Sequence, residues 1–420
     1  MFSRSLLFGR AGFAVGLCVG SLRSVPSAPA YPSTSSGTTA ATTIPHAKNA
    51  LSNLQIIEKM KPLHQQLLTG LFALVLLIYS CKETPKQPTI LEEKETTDIN
   101  YDAPKSLSEF GMFRQPIAAM QPIAGVEPYE LNATLFSDYA YKKRFIYLPK
   151  GQHLSYNPTE MLGFPDGSLL FKFFYYPNDF RQPEGPRRIM ETRVLKKKDN
   201  KWTAFSYLWN DEQTDATLAL AGDTKPVSWV NLAGEKINEK YSIPNVNQCK
   251  SCHSFHNETR PIGPVIRQLN KSVAYPSGTE NQLTHLQKIG WLPDLPALEK
   301  CPKLDAWDDQ TVALDKRARA YLEVNCGHCH RPEGPARNSG LELLASVTDP
   351  AKFGVGKKPV AAGQGSGGFM YDILPKHPDK SILVYRMESD NPGIMMPEIG
   401  RKKVHAEGVA LIKNWIAAMK

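Results

Sequence analysis

The sequence predicts an α+β protein: an antiparallel β-rich domain followed by an α-helical one. Three observations carry this. Between Phe110 and Tyr241 apolar and aromatic residues alternate with a period of two and turn dipeptides recur, the pattern of half-buried strands. From Asp309 onward apolar residues instead recur at i, i+4, i+7 and i+8, the pattern of one helix face. At 420 residues, with 41% hydrophobic and 22% charged content, the chain is too long for one small core, so two or three domains are expected, and its 33 prolines predict many turns.

The N-terminal region reads as an address. Residues 60–80 combine Met60-Lys61, an apolar run from Leu67 to Ile78 and the small residue Ser80 before Cys81, which makes a secretory signal peptide. Its ending is similar to a bacterial lipoprotein signal, so Cys81 is the candidate lipidation site and the new N-terminus. The apolar run, about a dozen residues, falls short of the ~20 that a spanning helix needs. Residues 81–105, polar with Pro85 and Pro88, read as a disordered tether from membrane to domain. Residues 1–59 have Glu58 as their only acidic residue and superficially match an organellar transit peptide. A second address behind one is inconsistent, so translation is expected to start at Met60, with 1–59 a non-native or cleaved extension. The remaining boundaries are a β-rich domain at 106–240, a first motif-bearing segment at 241–300 and a helical domain at 301–420.

The net charge of +9 divides unevenly. Residues 1–80 carry six Lys/Arg against one acidic residue, which leaves +4 for the rest of the chain, so nothing calls for nucleic acid.

The β-rich part is built of recognisable strands. Gly167 to Tyr176 lies between Pro165-Asp166-Gly167 and Pro177-Asn178-Asp179, both turn chemistry. Arg188 to Lys196 and Trp202 to Trp209 form a hairpin across Lys198-Asp199-Asn200-Lys201, with Phe205, Tyr207 and Trp209 on one face and Ala204, Ser206 and Leu208 on the other. With Tyr139 to Leu148 and Val227 to Leu232 this makes at least five antiparallel strands, in a sandwich or curled sheet.

The chemistry lies in two copies of one motif, Cys249-Lys250-Ser251-Cys252-His253 and Cys326-Gly327-His328-Cys329-His330. CxxCH is the arrangement that holds haem covalently: each cysteine adds across a vinyl group as a thioether, and the following imidazole becomes the proximal iron ligand. Two covalently bound haem c groups are therefore predicted, with Cys249, Cys252, Cys326 and Cys329 as attachment points and His253 and His330 as iron ligands. Their four propionates would nearly cancel the +4 excess. Half of a zinc site or a redox dithiol are the alternatives that CxxC alone allows. With Cys18, Cys81 and Cys301 left over, an even disulfide framework is not indicated.

The first motif is approached through Tyr241 to Gln248, read as extended and limited by Pro244. Its distal ligand is open: His256 is too close in sequence, His285 in the amphipathic stretch Asn281 to Ile289 is the candidate, and with no side chain bound the iron would be five-coordinate. The second motif follows a helix over Asp309–Asn325, capped by Thr311 or Asp309, with Leu314, Ala318, Tyr321 and Leu322 as its stripe. A last helix presents Val409, Ile412, Ile416 and Met419, with Leu411 and Trp415 beside them, and is expected to pack on the first. Between them, Met396 directly before Pro397 is the distal ligand candidate for the second haem, ahead of Met395 and of Met387, which continues a helical stripe. The glycines from Gly363 to Gly368 lack the Lys-Ser/Thr ending of a phosphate cradle and read as a flexible loop. Arg401-Lys402-Lys403 reads as a solvated face able to steer an acidic redox partner.

These residues carry two resemblances. The helix leading into CxxCH, the Met-Pro pair and the last helix are similar to class I cytochromes c. More widely, Leu107-Ser108-Glu109-Phe110-Gly111, Leu135-Phe136-Ser137-Asp138-Tyr139-Ala140, Asn247-Gln248-Cys249-Lys250-Ser251-Cys252-His253 and Tyr321 to His330 resemble a little-characterised family of bacterial dihaem c-type cytochromes, from about Leu107 to the C-terminus. Where that family has Asp before the final helix this chain has His405, which bears on the helix's N-cap and not on its haem. The stretch Phe164 to Lys172, followed by a hairpin and a CxxCH, is more loosely similar to the cytochrome c′-β group, in which an antiparallel sheet packs one haem. In its cross-linked members a lysine is joined to the haem, a position that Lys172 would take; the alternative is an ordinary exposed strand residue. The resemblances imply an exported, lipid-anchored dihaem cytochrome c on the periplasmic face or outer membrane, passing electrons between redox protein partners. The alternative is a haem enzyme of peroxidase-like or small nitrogen/oxygen-ligand chemistry, with an open first haem.

Overall fold

The hairpin centred on Asp199-Asn200 anchors the observed sheet. In the computed structural model, which describes residues 102–360 and 362–420, both turn residues take positive φ, 51° and 60°, and join β4 (Arg187–Lys198) to β5 (Lys201–Trp209). Such a two-residue turn matches the natural twist of the paired strands. Around it lie β1 (Val126–Pro128), β2 (Tyr141–Tyr147), β3 (Leu169–Pro177) and β6 (Ala216–Leu218). The six pair in sequence order as one antiparallel sheet. The strand expected at Val227 to Leu232 forms as β7 (Asp223–Val230), but it pairs with β8 (Lys236–Ile243) as a separate ribbon. The signal and lipidation readings, Cys81 included, lie outside the described residues. The end of the expected tether does not: Lys196 and Lys198 both bind Asp102, and Tyr207 donates to the Pro104 carbonyl.

The period-two alternation sorts the sheet's two faces. Phe145, Phe171, Phe173, Val194, Phe205, Tyr207 and Trp209 pack under Leu107, Phe113, Ile117 and Met120 from the preceding segment. The opposite face is covered by elements later in the chain. Leu170, Leu195 and Trp202 share a core with Ile266, Leu269, Leu283 and Leu286, from α2 (Ile266–Leu269) and α3 (Gln282–Lys288), which come after α1 (Val246–His253). Residues 240 and 300, expected as domain boundaries, are therefore not edges of packing, and the described residues belong to one packed unit.

The C-terminal core is built by α4 (Leu314–Leu322), α5 (Ile382–Glu388) and α6 (Ala406–Ala417). Ala318, Tyr321 and Leu322 meet Val409, Ile412, Trp415 and Ile416, so the two terminal helices do pack together. The α4 helix starts later than expected. Asp309 accepts from the Thr311 amide and hydroxyl in a local turn, and Ala313 stands at the N-cap without a capping side chain. His405 likewise caps α6 without a side-chain bond, its Nδ1 lying 3.0 Å from the Tyr321 hydroxyl. Among the described residues no helix is long and apolar enough to cross a membrane.

Gly408 sets the helix crossing. A Cβ there would lie 2.1 Å from the Tyr321 hydroxyl and 2.2 Å from the nearest atom of its ring. Tyr321 is 4% exposed and cannot swing away into solvent. Gly408→Ala is expected to lower unfolding free energy by about 1–3 kcal/mol through overpacking, despite alanine's better helix propensity. Denaturant unfolding of the two proteins checks it, and an unchanged or higher midpoint would refute the overpacking.

Candidate cofactor site

Both motifs sit on single helical turns that put their three side chains on one side. In α1, Asn245 caps the helix by accepting the Gln248 amide at 2.9 Å while the Gln248 side chain accepts the Asn245 amide at 3.0 Å. A helix thus carries Cys249, Cys252 and His253, where an extended approach was expected; extension ends at Ile243. The Asn-x-x-Gln of this capping box was legible in the sequence. The second motif follows α4 through a π-turn, Glu323–Gly327, and the Cys329 and His330 amides both return to the Cys326 carbonyl, at 3.0 and 2.9 Å.

Each motif's last histidine has one ring nitrogen committed. His253 Nδ1 lies 2.8 Å from the Arg260 carbonyl, which only accepts, so Nδ1 carries the proton. His330 Nδ1 lies 3.0 Å from Ser339 Oγ, whose own hydrogen goes to the Ala336 carbonyl at 2.7 Å; here too Nδ1 donates. Both rings therefore present Nε2 with a free lone pair, the arrangement of a metal-binding histidine held by an outer partner. Burial pushes both imidazoles down to about 4 and keeps them neutral.

The second motif faces a cavity of about 300 Å³ lined by Cys326, Cys329, His330, Met387 and Met396. Met396 is part of this wall and Met395 is buried away from it. The methionine loop is held by Arg401. Its Nη2 donates to the carbonyls of Met396 and Ser389 at 2.8 and 2.9 Å. Arg401 is 6% exposed, and Lys403 pairs with Glu239. This corrects the reading of Arg401-Lys402-Lys403 as a solvated face: the arginine is a structural clamp. Asp138 accepts the Lys402 and Lys403 amides, tying the loop to the Leu135-Phe136-Ser137-Asp138 stretch.

Around the first motif, three adjoining cavities of about 160, 80 and 150 Å³ share Cys252, His253 and Arg193. Their floor is the sheet. Arg144, Lys172 and Arg193 are direct cross-strand partners on β2, β3 and β4, on the face opposite the phenylalanine core. Like charges placed opposite one another are unfavourable, and these are enclosed. Burial and the neighbouring Arg144, Lys142 and Arg193 hold the Lys172 pKa well below its ordinary value. Lys172 is thus not an exposed strand residue, and its ammonium lies 4.8 Å from the Phe174 ring centroid. Glu191 is the carboxylate that meets this ladder, accepting from Arg193 Nη2 and the Tyr241 hydroxyl, both at 2.5 Å. Arg144 Nη2 and Arg193 Nε remain buried with no partner. Such a set needs anionic oxygens, which haem propionates supply. Donors, thiols and cations around both motifs fit a covalently held haem.

His285 is not brought to this site. Its Nδ1 and Nε2 lie 2.9 and 3.3 Å from Glu280 and Glu127, its ring stacks on Tyr275, and it lines none of the three cavities. His256 is exposed. The residue that does arrive is His328, which borders the cavities of both motifs. Its Nδ1 is buried without a partner, and burial, then His253, His330 and Lys172, push its pKa down to about 3. Arg193, Glu191 and Arg144 were likewise missed, although two basic residues and a lysine at matching strand positions were a signal.

The two motifs are clamped together. The Phe255 ring lies 4.1 Å from the Arg260 guanidinium and 4.9 Å from that of Arg331; Glu160 pairs with both arginines. The His256 amide donates to the Glu333 carbonyl at 2.9 Å.

The other chemistries of CxxC fit less well. Burial pushes the Cys326 and Cys329 thiols up to about 12 and raises Cys249 and Cys252, whereas redox-active dithiols are lowered. Among the described residues no three of His, Cys, Asp and Glu converge as a metal-ion site. Comparison with protein-family models, curated proteins and solved structures finds no match for this chain.

Proposed function

We propose that the protein is a dihaem c-type cytochrome that carries electrons between redox proteins, with a β-rich layer supporting the first haem and a cytochrome c-like helical part holding the second. The observation that carries this reading is the repeated one: each CxxCH turn sets two thiols and one Nδ1-anchored imidazole together on a cavity wall. Bound there, haem supplies a one-electron iron centre whose potential follows its axial ligands and surroundings.

The chain's own residues divide the remaining work. Cys249 and Cys252, and Cys326 and Cys329, would anchor the two groups; His253 and His330 offer Nε2 to the irons, held in orientation by Arg260 and Ser339. Met396, with its carbonyl fixed by Arg401, offers a thioether to the second iron and raises its potential relative to a second histidine. Arg144, Lys172 and Arg193 neutralise carboxylates at the first site. Export and a lipid anchor at Cys81 belong to the same proposal.

Intact-mass measurement of the mature protein, with a haemochrome assay, is expected to find two covalent haems per chain and an acylated Cys81 as first residue. One haem or none would refute the dihaem reading, and a chain retaining residues before Cys81 would refute the anchor. A second reading, an enzyme acting on a small anion at an open first haem, draws on the cationic ladder beside His253. Carbon monoxide binding to one reduced haem would favour it.

A further inference from the structure

We propose that His328, between the two cysteines of the second motif, is the sixth ligand of the first haem's iron. The inference rests on the dihaem reading and closes the site that reading left open.

Four observations carry it. On a helical turn of 3.6 residues, Cys326, Cys329 and His330 fall on one side, while His328 lies about 200° round from Cys326. It still borders its own motif's cavity, but from the other side of the turn from the two thiols, where it also lines the first motif's cavities. Second, the largest of the three cavities at the first motif is lined by Cys252 and His253 and, of residues 326–330, by His328 alone; the smallest takes His328 and Cys326. Third, the imidazole is uncommitted. His253, His285, His330 and His405 each have a ring nitrogen within hydrogen-bond distance of a protein atom. His328 has its Nδ1 buried with none. A buried polar group without a partner is rare enough to require an explanation, and a ligand to be coordinated is one. Fourth, the Phe255 clamp between Arg260 and Arg331 fixes the two motif segments against each other, so the distance from His253 to His328 is set by structure on both sides.

The first site is then bis-histidine, closed to exogenous ligands and suited to electron transfer. It is also joined to the second through bonds: His328 and the thioether cysteine Cys329 are adjacent residues, so one peptide separates the first iron's ligand from the second haem's attachment. Lys172 is the competing ligand, since it borders the same two cavities with His253.

The test uses the mature chain with both haems, by electron paramagnetic resonance of the oxidised form and carbon monoxide binding to the reduced form. The native protein is expected to show two low-spin haems. In His328→Ala the haem count stays at two, one haem converts to high-spin and binds carbon monoxide, and added imidazole restores the low-spin signal. His328→Met keeps six-coordination and shifts one haem's potential upward, which covers the case in which the alanine variant fails to mature. The proposal is overturned if His328→Ala leaves both haems low-spin, or if Lys172→Met and not His328→Ala opens the site. A native chain with fewer than two covalent haems would instead overturn the underlying reading, and with it the ligand assignment.

Discussion

Glu191→Ala is expected to cost about 3–5 kcal/mol of stability, because it strands Arg193 beside other basic side chains with no other side-chain carboxylate in reach, leaving only the propionates proposed for the first site to face it. Glu191 is fully buried on β4, and Arg193 is the next residue on the same face. The guanidinium lies 4.3 Å from the Phe174 ring centroid, and Arg144 and Lys172 continue the row across the sheet. Removing the carboxylate leaves the Arg193 and Arg144 guanidiniums and Lys172 in one row across the sheet, and the buried Tyr241 hydroxyl loses its acceptor. Tyr241→Phe, which removes one hydrogen bond and leaves the charges paired, should cost only about 1 kcal/mol. Denaturant unfolding of the holoprotein ranks the two. Equal, small losses in both variants would mean that water screens the ladder and that Glu191 does not hold it together.

That ladder marks where the sequence was legible and where it was not. Alternation along β2 to β5 sorted the residues onto two faces, because a strand's period leaves no other choice once one face is apolar. The same alternation places Lys172 between Leu170 and Phe174 on the second face. Which elements cover that face depends on contacts remote in sequence, so neither the cavity nor its charge could be read from the strand. Arg401 differs: its carbonyl partners Met396 and Ser389 lie 5 and 12 residues upstream, but a run of three basic residues does not show that the preceding loop folds back around one of them. His285 sits on the expected amphipathic helix, but its nitrogens are claimed by Glu280, 5 residues upstream, and by Glu127, remote in sequence. Local signals were reliable where the interaction was itself local, as in the stripes of α4 and α6. The Asn245–Gln248 capping box is local in the same sense, and it outweighs the extended bias that Pro244 gives the residues before it.

The larger functional effect is expected from removing cysteine pairs, and it should be asymmetric. Cys249→Ala with Cys252→Ala removes the first attachment. The helical core around α4, α5 and α6 contains no residue of that motif, of which only Ser251 and Cys252 border the second motif's cavity, which the ligands proposed for the second haem also line. The second haem should therefore persist with its histidine–methionine signature, and the mass should fall by one haem. Cys326→Ala with Cys329→Ala also removes one haem, but more is lost. On the dihaem reading the turn that holds His328 would be fixed at Cys326 and Cys329 by its own cofactor, and it is held at Asn325 by the Phe136 amide, 2.9 Å away. With the thioethers gone, the turn loses the restraint nearest His328, and the Asn325 bond and the Phe255–Arg331 contact flank it on either side. The remaining first haem is expected to shift toward high-spin and to bind carbon monoxide, although its own cysteines and His253 are untouched. Intact mass separates attachment from ligation, and the spin state reads the coupling. Symmetrical behaviour of the two variants would show that each motif serves its own haem alone.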